Sequence, residues 1–229
     1  MVEHLPSKQN VVGSNPILRS NLSHMGNHDM INVDVKLPRK LLVAVSGGVD
    51  SMAALYFLSR NHEVTACYFD HGTEGSDVAR EVVQSYCRDH ALGFLSGSVS
   101  RERGDHESKE EYWRTIRYEW LNSLDGPVVT AHHLDDCVET WVWSSLNGTP
   151  RLPHHKIKNV VRPFLSTPKY EFSELCNRHD IDYVEDASNN DTTFTRNYIR
   201  HQMMPHVLKV NPGISKVVRK KVLENAPVA

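Results

Sequence analysis

No apolar run in the 229-residue sequence approaches the roughly 20 residues that a membrane-spanning helix needs, and the polar N-terminus lacks the apolar stretch of a secretory signal. Cysteine is scarce. Cys67, Cys87, Cys137 and Cys176 never fall in a Cys-x-x-Cys spacing, which argues against a zinc ribbon, an iron–sulfur cluster and a redox dithiol. Scattered thiols without a signal peptide predict a reducing compartment and a cytoplasmic protein with no membrane partner. An excess of one charge is also missing, since 26 Lys and Arg stand against 28 Asp and Glu. Residues 1–36 contain no Phe, Trp or Tyr and no hydrophobic period, and are read as a disordered extension.

What is present begins at Lys40. Leu41 to Val45 is a continuous apolar run of the kind that suits a strand buried on both faces. Asp50 to Arg60 reads as a helix, Val64 to Phe69 as a strand, Ser76 to His90 as a helix and Phe94-Leu95 as a weak strand. Glu107 to Leu124 is expected as a long helix, Pro127 to Ala131 as a strand and Leu134 to Leu146 as a helix. This alternation predicts an α/β fold, a doubly wound and mostly parallel sheet with a small helical C-terminal appendage. The expected organisation is an extension over 1–36, a nucleotide-binding domain over 37–150, and the remainder of the catalytic domain with a basic helical part over 151–229. That last part contains the apolar stretch Val160 to Leu165, a helix capped by Thr167 with Pro168 at its first position, and two C-terminal helices. Ser100 to His106 is charged, has no apolar anchor and is read as a mobile loop.

Sheets of this class bind ligands at the carboxyl ends of their strands, and the chemistry-bearing residues fall there. The first strand runs into Ser46-Gly47-Gly48-Val49-Asp50-Ser51. Two glycines let the backbone approach a ligand, and successive N–H groups followed by a helix N-terminus form an anion site. The Gly-Lys-Ser/Thr ending of a Walker loop and the Gly-x-Gly-x-x-Gly of a dinucleotide fold are both missing, which points to a different use of the nucleotide. The second strand ends in Asp70-His71-Gly72, a weaker signal, because Asp and His commonly end strands by bonding to turns.

The fourth strand leads into His132-His133-Leu134-Asp135-Asp136-Cys137-Val138-Glu139-Thr140. Asp136 and Glu139 share one helix face, and as hard oxygen ligands they are candidates to hold Mg²⁺ beside the phosphates. Aspartates at a helix N-terminus also complement its dipole, which is the plainer account of Asp135 and Asp136. In the aromatic helix, Tyr112, Trp113, Tyr118 and Trp120 read as core, whereas Arg114 and Arg117 share a face and suit a phosphate. Two segments are basic without any acid: 149–170 carries five Lys or Arg and 196–221 carries seven. Each is either a solvated face or an attractor for a phosphate backbone.

The phosphate loop, placed strand–loop–helix, resembles that of the N-type ATP pyrophosphatases, where it holds the β and γ phosphates as the leaving group. The string from His132 to Thr140 closely resembles a motif of the tRNA(Ile)-lysidine synthetase family. Arg114-Thr115-Ile116-Arg117-Tyr118 resembles that family's Arg-x-x-Arg-Tyr. Val161-Arg162-Pro163-Phe164-Leu165 resembles its Arg-Pro-Leu-Leu stretch, with Phe164 where leucine is usual. Asp186-Ala187-Ser188-Asn189-Asn190-Asp191, followed by Arg196-Asn197-Tyr198-Ile199-Arg200, resembles a segment peculiar to it. The likeness spans roughly residues 40 to 213. It departs at Thr73-Glu74-Gly75, where the family's usual arginine is absent. Many members carry further C-terminal domains that the sequence to Ala229 does not contain, which shifts the expected tRNA selection to the basic segments and to residues 1–36.

The resemblance implies ATP and Mg²⁺ as cofactors, and L-lysine and the tRNA(Ile) with a CAU anticodon as partners. It implies an enzyme, a ligase forming a carbon–nitrogen bond. The wobble cytidine is adenylated with release of pyrophosphate, and lysine then displaces AMP. Ser46 to Ser51, Asp70 and His71 would line the nucleotide. Asp50, Arg114, Arg117, His132, Asp136 and Glu139 would serve the chemistry, and Arg162, Asn189, Arg196, Asn197 and Arg200 would meet the tRNA or substrate. Two rivals stay open: another ATP pyrophosphatase acting on tRNA or a small molecule, and a degenerate RNA-binding relative without turnover. Monomer and homodimer are both left open.

Overall fold

The structure is a computed structural model that describes residues 31–185 and 187–227. Among the described residues six strands form one sheet: β1 (Lys40–Val45), β2 (Glu63–Asp70), β3 (Gly93–Ser98), β4 (Val128–Val129), β5 (Lys156–Ile157) and β6 (Val160–Val161). Their spatial order is β3-β2-β1-β4-β6-β5, and every pairing is parallel except β5 with β6. The chain builds outward from β1 through β2 to β3, then returns to lay β4 on the other side of β1. The crevice between the carboxyl ends of β1 and β4 is therefore the switch point at which open α/β sheets take ligands.

The helices are α1 (Val49–Ser59), α2 (Ser76–Asp89), α3 (Lys109–Ser123), α4 (Leu134–Leu146), α5 (Lys169–Arg178), α6 (Thr195–Tyr198), α7 (Met204–Val210) and α8 (Ile214–Glu224). Alternation along β1 assigns them to two faces. Leu41, Val43 and Val45 pack with Met52, Leu55, Val83, Phe172 and Leu175 beneath α1, α2 and α5. Leu42 and Ala44 face the opposite way, toward Leu121, Val128, Val160 and Trp120 beneath α3. A third cluster joins Leu134, Cys137, Val138 and Val142 of α4 to Leu165 and to Val218 and Val222 of α8.

Phe94-Leu95 belongs to a full strand, β3, paired to β2 along its length. Gly97 lies under the Trp120 indole so closely that a Cβ there would stand 2.3 Å from it. Helix α3 starts at Lys109, two residues later than expected, because the Ser108 hydroxyl accepts from Glu111 N–H and caps it. The strand expected over 127–131 is only two residues long. Thr167 does not cap α5; its hydroxyl donates to the carbonyl of Asn32, and Pro168 takes the cap position. Beyond α5, the described residues hold two C-terminal helical segments, as expected, the first a composite run and the second α8. α6 and α7 are joined by a π turn over Ile199–Met203 into a single run.

Residues 1–30 lie outside the described residues. Residues 31–36, which the sequence assigned to the extension, are held against the domain. Ile31 is buried, and the Asp34 carboxylate accepts from both the backbone N–H (2.8 Å) and the hydroxyl of Ser166. The loop 100–106 is clasped as well: Arg101 bonds Glu107 through two nitrogens at 2.7 and 2.8 Å. All four cysteines are free and buried. Burial pushes the Cys67 thiol up to about 12 and Cys87 to about 11, so these thiols stay protonated and inert. Among the described residues no helix is long and apolar enough to cross a membrane.

Candidate active site at the switch point

The phosphate loop turns at the end of β1. Gly47 has φ 82°, and a Cβ there would also come within 3.1 Å of Ala79 on α2, so only glycine fits. Ser51 ties the turn together: its hydroxyl donates to the Gly48 carbonyl (2.8 Å) and accepts from Ser46 N–H (3.1 Å). The Gly47 carbonyl accepts from Val184 N–H (2.9 Å), which fixes the loop from outside. Ser51 and Met52 N–H both return to the Gly48 carbonyl. Helix geometry leaves the Val49 and Asp50 N–H groups without intrahelical partners, pointing out of the α1 N-terminus.

The loop meets α4 across the crevice. His133 caps α4: its backbone N–H donates to Asp136 Oδ2 (3.1 Å), and its Nδ1 accepts from Asp136 N–H (3.4 Å). That leaves His133 Nε2 between two carboxylates, 3.6 Å from Asp50 Oδ2 and 3.7 Å from Asp136 Oδ1. Burial pulls the His133 pKa down, but Asp136, Asp50 and Asp135 outweigh it, and the net direction is up. Lys169 at the start of α5 adds a cation 3.9 Å from Asp50 Oδ2, while its backbone N–H donates to Asp135 (2.9 Å).

Asp136 and Glu139, both buried, hold two arginines from the π-turn run. Arg196 Nη2 bonds Asp136 Oδ1, and Arg200 grips Glu139 with Nε (2.7 Å) and Nη2 (3.1 Å). Burial would raise the Asp136 pKa, but His133, Arg196, His132 and Arg200 hold it well below the usual carboxylate range. Asp136 in turn raises Arg196 above its ordinary value.

These bonds decide the metal assignment. All four oxygens of Asp136 and Glu139 face arginine or backbone donors, so the pair does not fit the role of a Mg²⁺ cradle. Among the described residues no group of three or more His, Cys, Asp and Glu suits a metal. Asp50 fits better. Its Oδ1 is buried with no hydrogen-bond partner, in the loop itself, and Mg²⁺ is commonly held by one or two carboxylates plus substrate phosphates.

Tyr118 organises the remaining arginines. The guanidinium carbons of Arg114, Arg117 and Arg162 lie 4.9, 5.6 and 5.9 Å from its ring centre, and Arg162 Nη2 bonds its hydroxyl (2.9 Å). Burial raises the Tyr118 pKa, but Arg162, Arg114 and Arg117 reverse this and lower it. Arg117 Nε is buried without a partner among the described residues. Burial first, then Arg114, Arg196 and Arg162, push its pKa down. Arg162 is buried, and its Nη1 donates to the His154 carbonyl (3.0 Å), so it frames the wall. His132 sits among these groups with Nδ1 2.9 Å from the Thr130 hydroxyl. Burial, followed by Arg162, Arg196 and Arg117, holds its pKa well below 6.5 and keeps the ring neutral at pH 7.

The crevice thus brings together Ser46 to Ser51, Arg114, Arg117, His132, Asp136, Glu139, Arg162, Arg196 and Arg200. Four expected residues lie off its centre. Asp70 Oδ1 accepts from Gly72 N–H (2.7 Å) and closes its own turn, and the His71 ring packs between Phe69 and Trp113. Asn197 donates to the Asp191 carbonyl (2.9 Å), and the Asn189 carbonyl lies 2.8 Å from His201 Nε2. Tyr118, His133 and Lys169 stood within the motifs and the basic segment read from the sequence but were given no place in the site. A lysine following the proline at the start of α5 was the one available signal for the last of them.

The model of a PP-loop domain matches residues 18–207. The chain belongs to the PP-loop domain family. It is 30% identical over 193 residues to the tRNA(Ile)-lysidine synthase of Legionella pneumophila (strain Paris), covering 77% of this chain and 44% of that protein. It is 32% identical over 200 residues to the enzyme of the same name from Thermotoga maritima, covering 80% and 48%. The chain therefore spans less than half the length of these curated relatives. Among solved structures, the U34-tRNA thiolase NcsA from Methanococcus maripaludis aligns with TM-score 0.63 at 16% identity, over 88% of this chain and 76% of that one, a likeness of fold.

Proposed function

We propose that this PP-loop protein is a tRNA(Ile)-lysidine synthase that adenylates the wobble cytidine of the CAU-anticodon tRNA(Ile) and then exchanges AMP for lysine. The observation that carries the reading is the His133 bridge. One buried imidazole stands within 3.7 Å of both the phosphate-loop carboxylate Asp50 and the arginine-bound carboxylate Asp136, so nucleotide and second substrate would share one crevice. The names of the relatives at 30% and 32% identity support the same assignment.

In this reading the α1 N-terminus and Lys169 receive the β and γ phosphates and stabilise the leaving charge. Mg²⁺, held from Asp50, would supply further charge neutralisation. Arg114 and Arg117 face the α phosphate. The cytidine O2 forms a bond to that phosphorus as the bond to the β-phosphate oxygen breaks and pyrophosphate departs. A lysine amine then bonds to the base carbon carrying the adenylated oxygen, that carbon–oxygen bond breaks, and AMP leaves. Asp136 and Glu139 hold Arg196 and Arg200 in the crevice, and the neutral His132 ring accepts the proton that the amine sheds.

Two measurements test this. Purified protein with ATP, lysine and a CAU-anticodon tRNA(Ile) transcript is expected to release AMP and pyrophosphate, not ADP, and to transfer labelled lysine to the transcript. Asp50→Ala and Asp136→Ala are expected to abolish both signals. Unchanged turnover in either variant refutes the site, and ADP as product refutes the chemistry.

A further inference from the structure

The crevice does not end at the adenylation site. A groove of about 1320 Å³ runs from His132, Asp136 and Arg196 to an outer wall of Trp143, Arg151 and Lys221. That volume exceeds the roughly 300–1,000 Å³ of ordinary small-molecule sites. Trp143 stands on α4 four residues beyond Glu139 and seven beyond Asp136, on the same helix face and roughly 10 Å further along the axis. It is 37% exposed.

The outer wall is built. The Arg151 guanidinium carbon lies 5.4 Å from the Trp143 ring centre. Its backbone is fixed by the buried Ser144, whose hydroxyl accepts from Arg151 N–H (3.0 Å) and lies 3.3 Å from its carbonyl. A second aromatic–cation pair continues the wall, Lys221 Nζ over Trp141 at 5.1 Å. Glu110, Glu111 and Glu224 also line the groove, beside Arg151, Lys156 and Lys221.

We infer that Trp143 and Arg151 form a stacking shelf for an unpaired RNA base about three positions along the strand from the nucleotide under modification. An indole and a guanidinium plane offer a π face and a planar cation, the pair by which unpaired bases are held. Arg151, Lys156 and Lys221 complement the phosphates of the same strand. Stacked bases rise about 3.4 Å each, so the 10 Å offset corresponds to about three base steps from the Asp136 end. The shelf rests on the proposed reading that RNA enters this crevice.

The test uses the full chain and two labelled RNAs of equal length, a hairpin with a CAU-containing unpaired loop and a fully paired duplex. Trp143→Ala is expected to weaken hairpin binding about 5- to 100-fold, with duplex binding and ATP affinity unchanged. Trp143→Phe keeps a ring and is expected to retain most of the affinity. Arg151→Gln is expected to weaken hairpin binding and lower the salt slope by about one. Unchanged hairpin binding by Trp143→Ala, or equal loss for hairpin and duplex, overturns the shelf. AMP release by the same samples separates the two proposals. A shelf-dependent hairpin affinity without AMP release sinks the enzymatic reading alone. AMP release with a silent Trp143→Ala sinks the shelf alone.

Discussion

Arg200→Ala removes both nitrogens that hold Glu139, whose side chain is only 7% exposed. Stripping one partner from a buried ion pair typically costs about 3–5 kcal/mol, because the remaining charge stays desolvated. Two features of the site reduce that figure. Arg196 Nε remains 3.6 Å from Glu139 Oε2, and Arg200 is itself 24% exposed. The expected cost is therefore about 2–3 kcal/mol, a fall in melting temperature of about 4–12 °C for a chain of this size. Removing the stranded charge too should recover part of the loss, so Arg200→Ala/Glu139→Ala is expected to be more stable than the two single costs added together. Urea unfolding of wild type, both single variants and the double variant closes the cycle, with a coupling of about 1–3 kcal/mol. Single costs that add within about 0.5 kcal/mol would refute the claim that this bidentate pair is what keeps the π-turn run on α4.

Gly47→Ala is expected to destabilise the fold by about 1–2 kcal/mol from its φ alone and to abolish ATP binding, since the added Cβ meets Ala79 at 3.1 Å; calorimetry with ATP checks it. The His132 ring titrates below 6.5 when folded, so the unfolded chain binds more protons as the pH drops past that value. Its stability contribution is present above about 6.5 and lost as the pH falls toward the folded pKa; His133, raised instead, contributes below 6.5 and loses that as the pH rises through its folded value. Ring-resolved NMR titration distinguishes the two, and a His132 that titrates at or above 6.5 contradicts the electrostatics described. Asp34→Ala leaves the buried Ser166 N–H and hydroxyl without their acceptor and is expected to cost about 1–3 kcal/mol by thermal melt.

How much of this was legible beforehand follows from sequence separation. The turn from Ser46 to Ser51 and the run from His132 to Thr140 are contiguous, and their place at strand ends followed from periodicity alone. The ion pairs are not contiguous: Asp136 and Arg196 are 60 residues apart, and no local pattern says that a carboxylate suited to magnesium will be claimed by a guanidinium instead. The same holds for Asp34, which reaches Ser166 across 132 residues from within a stretch whose composition reads as unstructured. The two-residue strands β5 and β6 are too short to show a period, so the far edge of the sheet emerged only from pairing. Arg114 and Arg117 read as one helix face and Arg162 as part of a separate apolar stretch, and only the fold gathers all three around Tyr118.

The π turn over Ile199–Met203 carries one residue more than an α-helical turn and so resets the rotation of everything after it. Arg196 before the turn and Arg200 within it aim at the carboxylates, whereas Met203 at its end and Met204 and Val207 beyond it pack toward the apolar face of α4. Excising one amino acid between them would yield a more regular helix and a worse protein, because guanidiniums and methionines would swing about 100° apart from their targets. Chain length is thus under tighter constraint in this short stretch than residue identity, and a homologous chain that differs there by an insertion or deletion would have to rebuild either its polar clamp or its greasy seat.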